Sequence, residues 1–151
     1  MKKVLFVCTG NTCRSVLAEG IFRKIAGEKE IKVEILSAGI FAREGMNASK
    51  EAVLAAAEKG INISKHISKS VTHEILSDAD IILTMIKGHK QLLIEKAPEY
   101  KDKIYTIKEF NCNLIADDID DPFGKGMAAY RKCVKELEEE IDKLYISIVS
   151  D

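Results

Sequence analysis

The chain has 151 residues, 46% of them hydrophobic, and its 23 Lys and Arg against 24 Asp and Glu leave a formal net charge of −1. This length suits one domain with a sizeable core, so we expect a single domain over residues 1–151. The near-zero charge argues against a nucleic-acid binder that depends on bulk positive charge, and apolar segments along the whole chain exclude a disordered protein.

Two strands and two helices are predicted in the first 60 residues. The continuous apolar run at residues 4–7 is typical of a strand buried on both faces, and residues 33–36 show a second strand pattern. Apolar positions at spacings of three and four predict a helix over residues 14–27. A helix over residues 51–59 follows, with Asn47 as its candidate amino-terminal cap.

The middle of the chain continues this alternation. Thr72 is a candidate cap for a short helix that includes residues 74–76. The segments predicted after it are a buried strand at 79–85, a helix at 91–96 and a strand at 103–107.

The last segment carries the clearest pattern. Its apolar positions alternate between spacings of three and four, and they are Met127, Tyr130, Val134, Leu137, Ile141, Leu144 and Ile148. The pattern predicts one long helix with a narrow apolar seam, which suits either a coiled coil or packing on a sheet. We favour packing on the sheet because the helix is single and closes the chain.

Strands that alternate with helices predict a parallel sheet covered on both faces. The expected fold class is therefore α/β, with three layers and a small doubly wound four-stranded parallel sheet. Ligands of such folds bind beyond the carboxyl ends of the strands. A site is therefore expected at the loops after residues 7, 36, 85 and 107.

The loop after the first strand has the residues of an anion-binding loop, Cys8-Thr9-Gly10-Asn11-Thr12-Cys13-Arg14-Ser15. At a junction between a strand and a helix, backbone N–H groups and the helix dipole favour negative charge. Gly10 and Asn11 are residue types that tolerate the left-handed backbone that a curled loop needs. We therefore expect this backbone to form a nest for a phosphoryl group.

Two side chains of the loop point to chemistry. Five residues separate Cys8 from Arg14, and an arginine fork holds two phosphoryl oxygens at once. A cysteine beside a helix amino-terminus and an arginine loses its proton readily, and the thiolate is the nucleophilic form. The hydroxyl of Ser15 is placed to donate to that thiolate. The expected chemistry is attack on phosphorus to give a phosphocysteine, and the alternative is a passive anion-binding module with an unreactive Cys8.

With its flanking strand and helix, this loop resembles the phosphate loop of the low-molecular-weight protein tyrosine phosphatases. The resemblance covers essentially the whole chain, since Ser37-Ala38-Gly39 is similar to the family's turn after the second strand and Asp120-Asp121-Pro122-Phe123-Gly124 to its acid loop. It implies a phosphotyrosine protein phosphatase I-like fold with strand order 2-1-3-4. It also implies that Cys8 is the nucleophile, that Arg14 binds the phosphoryl group, and that Asp121 is the general acid and then the base.

The residue pattern around Asp121 allows two interpretations. It ends the acidic stretch at residues 117–121, which is also what a solvated acidic loop looks like. Pro122 fixes the backbone after it, and Phe123 is a candidate wall of a pocket. Crowded carboxylates hold protons more tightly, which suits a group that must arrive protonated. The remaining acidic residues of the stretch are expected to be structural.

The resemblance implies further roles around the loop. Asn11 would hold the shape of the loop, Ser15 would stabilise the thiolate, and His66 would brace the loop. Cys13 is similar to a cysteine that forms a reversible disulfide with the nucleophile in many family members. Cys8 and Cys13 are therefore a candidate redox pair.

Thr12 departs from the tyrosine-specific pattern, which carries an apolar β-branched residue at this position. The loop CTGNTCRS resembles that of a bacterial branch that removes phosphate from arginine side chains. A hydroxyl at the rim suits a polar guanidinium or an attacking water, whereas an apolar wall suits a phenyl ring. Phosphoarginine is therefore expected to be favoured over phosphotyrosine, with a strict tyrosine phosphatase as the alternative. The candidate substrate-binding residues are Thr9, Gly10, Asn11, Thr12, Cys13, Ser15, Phe41 and Phe123.

An arsenate reductase of the same fold would need further cysteines near the third strand, and residues 81–100 contain none. Cys112 and Cys133 have no predicted role. No cysteine pair or histidine lies at metal-ligand spacing, so neither a metal nor a cofactor is expected.

The expected partners are a phosphorylated protein and the inorganic phosphate released from it, with no nucleic acid and no membrane. The apolar run after Met1-Lys2-Lys3 is too short for a signal peptide. We therefore expect a cytoplasmic protein with reduced thiols.

Overall fold

Four strands form one parallel sheet in the computed structural model, which describes residues 1–112 and 118–149. The strands are β1 (Lys2–Cys8), β2 (Val33–Gly39), β3 (Ile81–Thr84) and β4 (Ile104–Thr106). Their order is β2-β1-β3-β4, and every neighbouring pair is parallel. The expected α/β class and strand order 2-1-3-4 are confirmed.

Helices connect the strands. They are α1 (Arg14–Glu28), α2 (Lys50–Ala57), α3 (His73–Asp78), α4 (Lys87–Lys96), α5 (Ile107–Phe110) and α6 (Met127–Val149), with a 3-10 segment at Pro98–Lys103. Within the described residues, no helix combines the length and the apolar character needed to cross a membrane.

The sequence of β1 explains why helices cover both faces of the sheet. Successive side chains of a strand point to opposite faces, so a strand that is apolar throughout must be covered on both. Val4, Phe6 and Cys8 belong to one buried cluster, which includes residues of α1, α2 and α6. Leu5 and Val7 belong to the other, with residues of α3 and α4. Cys8 is therefore the last residue of a central strand, on the side of α1.

The seam of α6 is buried within the chain. The buried residues of this helix are Tyr130, Cys133, Val134, Leu137, Glu140, Ile141, Leu144 and Ile148. The helix contacts α1 and α2, and its apolar residues share one cluster with side chains of β1. The predicted helix is confirmed, and its apolar face packs inside the fold rather than in a coiled coil.

Two helix starts differ from the prediction. The cap of α2 is Ser49, whose hydroxyl accepts the N–H of Ala52, whereas Asn47 lies in an isolated β-bridge. Helix α4 begins at Lys87 rather than at residue 91. Its first N–H donates to Oδ1 of Asp118, 2.9 Å away, so its cap comes from a distant part of the chain.

The fourth strand is shorter than predicted because Ile107 begins α5. The hydroxyl of Thr106 accepts the N–H of Glu109 at 3.0 Å and so caps this short helix. Thr106 and Glu109 have the spacing of a capping box, a local signal that indicates a helix start.

Leu137 tests the assignment of the α6 seam to the core, since it is fully buried. Replacing it by alanine removes apolar contacts and leaves a cavity, so we expect Leu137→Ala to lower the free energy of unfolding by about 2–5 kcal/mol. Urea denaturation followed by circular dichroism measures the loss. Leu54→Ala in α2 is the matched control, because Leu54 is 47% exposed, and it should change stability by about 0.5 kcal/mol. Equal losses in the two variants would contradict the assignment.

Candidate active site

The loop between β1 and α1 turns its carbonyl groups outward. Five of its carbonyl oxygens each accept a hydrogen bond of 2.8–3.0 Å, four of them from other parts of the chain and that of Cys13 from the first turn of α1. The pairs are Cys8 with the N–H of Ile40, Thr9 with that of Phe41, Thr12 with that of Ser49, Cys13 with that of Leu17, and Asn11 with the ring of His66. A trans peptide unit points its N–H opposite to its carbonyl, so the following N–H groups face the centre of the loop. This is the arrangement of a cradle for an anion.

Cys8 lies at the base of the cradle and is only 3% exposed. Its Sγ is 2.9 Å from Oγ of Ser15 and 3.3 Å from the backbone nitrogen of Asn11, whose N–H donates to the sulfur. Nδ2 of Asn11 also donates to Oγ of Ser15 at 2.9 Å, which leaves the Ser15 hydroxyl hydrogen free to donate to the sulfur. Two hydrogen-bond donors are therefore directed at the Cys8 sulfur.

Asn11 is held at each of its polar groups. It has a left-handed φ of 57° and is fully buried. Its Nδ2 also donates to Oγ of Ser37 at 2.9 Å, and Ser37 in turn donates to a carboxylate oxygen of Glu19 at 2.5 Å. Its Oδ1 accepts the N–H of Lys69 at 3.0 Å. These contacts fix a backbone conformation that would otherwise be unfavourable.

His66 contacts the loop through the backbone of Asn11. Its Nε2 lies 2.8 Å from the Asn11 carbonyl oxygen. Because a carbonyl only accepts, that nitrogen carries a hydrogen. Burial lowers the pKa of His66, and the hydrogen bond to Asn11 opposes this effect. The family resemblance implied that His66 would brace the loop, and such a role requires a contact of this kind.

Arg14 connects the loop to the acidic segment near α6. It is the first residue of α1 and is buried. Its Nη1 donates to the carbonyl oxygen of Ile119 at 2.9 Å, and its Nη2 lies 3.7 Å from Oδ2 of Asp121. The other oxygen of Asp121 accepts the N–H of Phe123 at 3.1 Å and closes a turn over Pro122. The Asp121 side chain is 53% exposed, so its carboxylate faces both Arg14 and solvent.

The segment that carries Asp121 is tied to the sheet at a second point. Ile119 is fully buried, and its N–H donates to the carbonyl of Met85 at 3.0 Å, just beyond β3. Asp118 caps α4 through the N–H of Lys87. Asp117, which belongs to the predicted acidic stretch, lies outside the described residues.

An open cavity of about 220 Å³ lies between the loop and the segment that carries Asp121. Its lining residues are Cys8, Thr9, Gly10, Thr12, Cys13, Arg14, Asp121 and Phe123. Asn11 and Ser15, predicted to bind substrate, are fully buried and do not line the cavity. The backbone N–H of Asn11 and the hydroxyl of Ser15 contact the Cys8 sulfur, and the Asn11 side chain bonds Ser15. A larger depression of about 510 Å³ lies near Asp80 and Tyr105 at the opposite ends of the strands, away from these groups.

Phe41, predicted to bind substrate, does not line the cavity. Its backbone N–H is used to bind the carbonyl of Thr9, while its ring is 62% exposed and lies 4.9 Å from Nζ of Lys96. Phe123 is the aromatic residue that lines the cavity.

No disulfide joins the candidate redox pair in this structure. Cys8 and Cys13 are both free thiols. Sγ of Cys13 lies 3.3 Å from the hydroxyl of Tyr130 and 3.5 Å from that of Ser49.

Burial raises the pKa of Cys133 to about 12, so this thiol stays protonated at neutral pH.

Sequence reasoning missed His89. This residue of α4 is 4% exposed, and its Nε2 lies 2.8 Å from Oγ1 of Thr9 in the loop. Burial lowers its pKa to about 4; the charge of Arg14 acts in the same direction, and Asp118 and Asp121 act against it. The ring is therefore neutral at pH 7. A single histidine on a helix forms no pattern, so only the contact reveals it.

Comparisons with known proteins place the chain among phosphatases. The sequence profile of the family described as low molecular weight phosphotyrosine protein phosphatase matches residues 3–151. A protein-arginine-phosphatase of Geobacillus stearothermophilus is 42% identical over 144 residues, which are 94% of this chain and 93% of that protein.

Two solved structures share the fold. A low molecular weight protein tyrosine phosphatase from T. tengcongensis aligns with a TM-score of 0.93 and 47% identity, over 97% of this chain and 99% of that chain. A mutant of the YwlE arginine phosphatase with a phosphorylated active-site serine aligns with a TM-score of 0.94 and 37% identity, over 99% and 97% of the two chains. Similar proteins thus bear names that refer to arginine and to tyrosine.

Gly39 tests how closely the loop must be packed. A Cβ at this position would lie 2.7 Å from the carbonyl oxygen of Thr9 and 2.9 Å from the nitrogen of Asn11. We expect Gly39→Ala to displace the loop and to lower kcat/KM on an aryl phosphate by about 10- to 100-fold. Gly27→Ala is the matched control because nothing lies within 4 Å of its added Cβ. It should keep full activity and gain about 0.5–1 kcal/mol of stability, whereas full activity in Gly39→Ala would show that the contact does not constrain the loop.

Proposed function

The chain belongs to the low molecular weight phosphotyrosine protein phosphatase family and is a cysteine-dependent phosphoprotein phosphatase, and we propose that it acts on phosphoarginine in preference to phosphotyrosine. Cys8 is the proposed nucleophile, with Arg14 and Asp121 as its partners. The observation that carries the assignment of residues is that the Cys8 sulfur, the Arg14 guanidinium and the Asp121 carboxylate line one cavity of about 220 Å³.

In the first proposed step the Cys8 thiolate attacks phosphorus. The bond from phosphorus to the substrate nitrogen or oxygen breaks, and Asp121 gives its proton to that leaving atom. The guanidinium of Arg14 and the N–H groups of the loop hold the three other phosphoryl oxygens. The products are the dephosphorylated side chain and a phosphocysteine. The hydrogen bond from Nη1 of Arg14 to Ile119 supports this role, because it orients the fork and leaves further donors for phosphate.

In the second step water releases the phosphoryl group. The Asp121 carboxylate, now without its proton, takes one from water as the oxygen attacks phosphorus. The bond between sulfur and phosphorus breaks, which gives inorganic phosphate and the Cys8 thiolate. The donors from Ser15 and Asn11 stabilise this thiolate as a leaving group.

The preference for phosphoarginine rests on Thr12. This residue lines the cavity, where its hydroxyl offers a polar contact to a guanidinium, and Phe123 offers an apolar one. The relative from Geobacillus stearothermophilus is named for arginine. The structure from T. tengcongensis, at 47% identity, is named for tyrosine. Strict tyrosine phosphatase activity is therefore the second candidate function of this chain.

A reducing compartment is part of the same proposal. The nucleophile must remain a thiol, and cytoplasmic thiols are kept reduced. We further propose that, when a peroxide oxidises the Cys8 sulfur to a sulfenic acid, the Cys13 thiol attacks that sulfur and water leaves. The disulfide so formed, which cellular thiols can reduce, protects the nucleophile from irreversible oxidation.

Thr12→Ile tests the substrate preference. On matched peptides that carry phosphoarginine or phosphotyrosine, we expect the wild type to show the higher kcat/KM on phosphoarginine. The variant should shift the ratio toward phosphotyrosine by about tenfold or more, because an isoleucine removes a polar contact and adds an apolar wall. Thr12→Ser keeps the hydroxyl and should keep the preference. A wild type that prefers phosphotyrosine would instead support the second candidate.

Asp121→Asn tests the proton donor. An amide cannot protonate a leaving group, so the first turnover of phenyl phosphate, which has a poor leaving group, should slow by about 100-fold or more. Dinitrophenolate is a good leaving group that needs no proton, so the first turnover of dinitrophenyl phosphate should slow far less in the same rapid-mixing measurement. Asp120→Asn, at the neighbouring exposed carboxylate, is the control and should preserve the ratio of the two rates. An equal loss on both substrates would remove Asp121 from the role of acid.

A further inference from the structure

His89 has one polar contact with the phosphate loop and no part in the mechanism above. Its Nε2 lies 2.8 Å from Oγ1 of Thr9, which lines the cavity beside Cys8. Its Nδ1 is buried and has no hydrogen-bond partner among the described residues. This asymmetry between the two ring nitrogens distinguishes the possible tautomers.

Two arrangements of a neutral ring fit the distance. If Nε2 accepts from the Thr9 hydroxyl, the ring hydrogen sits on Nδ1 as a buried N–H without a partner, which folded proteins avoid. If Nε2–H donates to the Thr9 oxygen, only an acceptor is left without a partner. The hydroxyl hydrogen of Thr9 is then free for another acceptor.

Charge in the cavity favours the second arrangement as well. A hydroxyl that has given its hydrogen to the ring can present only oxygen lone pairs to a phosphoryl group, and these repel an anion. A hydroxyl that accepts from the ring can donate its hydrogen to a phosphoryl oxygen. Hydrogen bonds to charged groups are the stronger class, so occupancy of the cavity and the Nε2–H tautomer reinforce each other.

We propose that His89 is a positioning residue whose Nε2–H donates to Oγ1 of Thr9 and so directs the Thr9 hydroxyl hydrogen to the phosphoryl group in the cavity. The inference rests on the proposed function, because it requires a phosphoryl group beside Cys8. It assigns to α4 a part in binding that neither the loop nor the acidic segment supplies.

The start of α4 keeps His89 in place. The N–H of Lys87, the first residue of the helix, donates to the Asp118 carboxylate. Ile119, the next residue after Asp118, donates its N–H to Met85 and accepts from Arg14 at its carbonyl. The helix that carries His89 is therefore anchored by the same segment that carries Asp121.

The tautomer is measured directly on the wild-type protein. Long-range proton–nitrogen correlation spectra of protein with nitrogen-15 histidine, recorded at pH 7 with and without inorganic phosphate, show which ring nitrogen carries hydrogen. His89→Leu identifies the His89 signals. We expect Nε2–H with a bare Nδ1 in both samples. An Nδ1–H tautomer, or a ring protonated at both nitrogens, would overturn the proposal.

A double-mutant cycle tests whether His89 acts through Thr9. Thr9→Val and His89→Leu should each weaken competitive inhibition by inorganic phosphate by about tenfold. The double variant should be no weaker than either single variant, and Thr9→Ser should restore inhibition. If His89→Leu weakens inhibition by the same factor when Thr9 is already valine, the proposal is wrong.

Controls separate this inference from loss of the fold and from loss of the proposed function. His73 also contacts a hydroxyl, that of Tyr100 at 2.8 Å, but lies away from the cavity; His73→Leu should leave inhibition unchanged. His89→Gln keeps an N–H donor and should retain more phosphate inhibition than His89→Leu. It also replaces His89→Leu in the cycle if that variant does not fold. Failure of the proposed function would appear as a wild type without turnover, whereas failure of this inference alone would appear as turnover with independent effects at Thr9 and His89.

Discussion

The site depends on one constraint. The loop between β1 and α1 directs its N–H groups to one point, so its carbonyl groups must find hydrogen-bond donors elsewhere in the chain. Buried backbone groups are almost always paired, so the inward-facing nest can exist only if neighbouring segments supply donors on the outside. The segment after β2 supplies two of them, at Ile40 and Phe41, and Ser49 and His66 supply two more. The close approach of β2 requires Gly39, since a Cβ there would collide with the loop backbone. The parallel pairing of β1 and β2 is thus what allows the cradle to form.

The same loop helps to fix the position of Asp121, the proposed acid. The carbonyl of Ile119 accepts a hydrogen bond from Nη1 of Arg14 and so orients the guanidinium. Ile119 in turn brings Asp121 to within 3.7 Å of the guanidinium, although more than 100 residues separate the two in sequence. Charge and backbone bonding therefore act together, because the arginine proposed to bind the substrate also holds the segment with the proposed proton donor.

Local patterns predicted much of this. The apolar run at residues 4–7 predicted β1 and the seam of residues 127–148 predicted α6, because each pattern depends on neighbouring positions, and both elements are confirmed. The residue types at 8–15 predicted a curled loop, and Asn11 has a left-handed φ of 57°. Partners that come from far along the chain were not predictable. Asp118 caps α4 from 31 residues away, so the start of that helix was placed too late. The start of α5 was missed for another reason, since its cap at Thr106 was present in the sequence but was included in the strand. Residues 37–39, predicted as a turn, instead continue β2 to Gly39. Phe41 follows this longer strand, and its backbone N–H binds the carbonyl of Thr9 while its side chain is exposed.

The atom that carries the phosphoryl group during turnover is the most direct test of the central claim. Rapid acid quench of the wild type with excess phosphoarginine peptide, followed by digestion and mass spectrometry under conditions that preserve bonds between sulfur and phosphorus, identifies it. The account predicts one phosphoryl group on the peptide that contains Cys8, formed and lost at the rate of turnover. A phosphoryl group on any other residue, or turnover with none on Cys8, would contradict it.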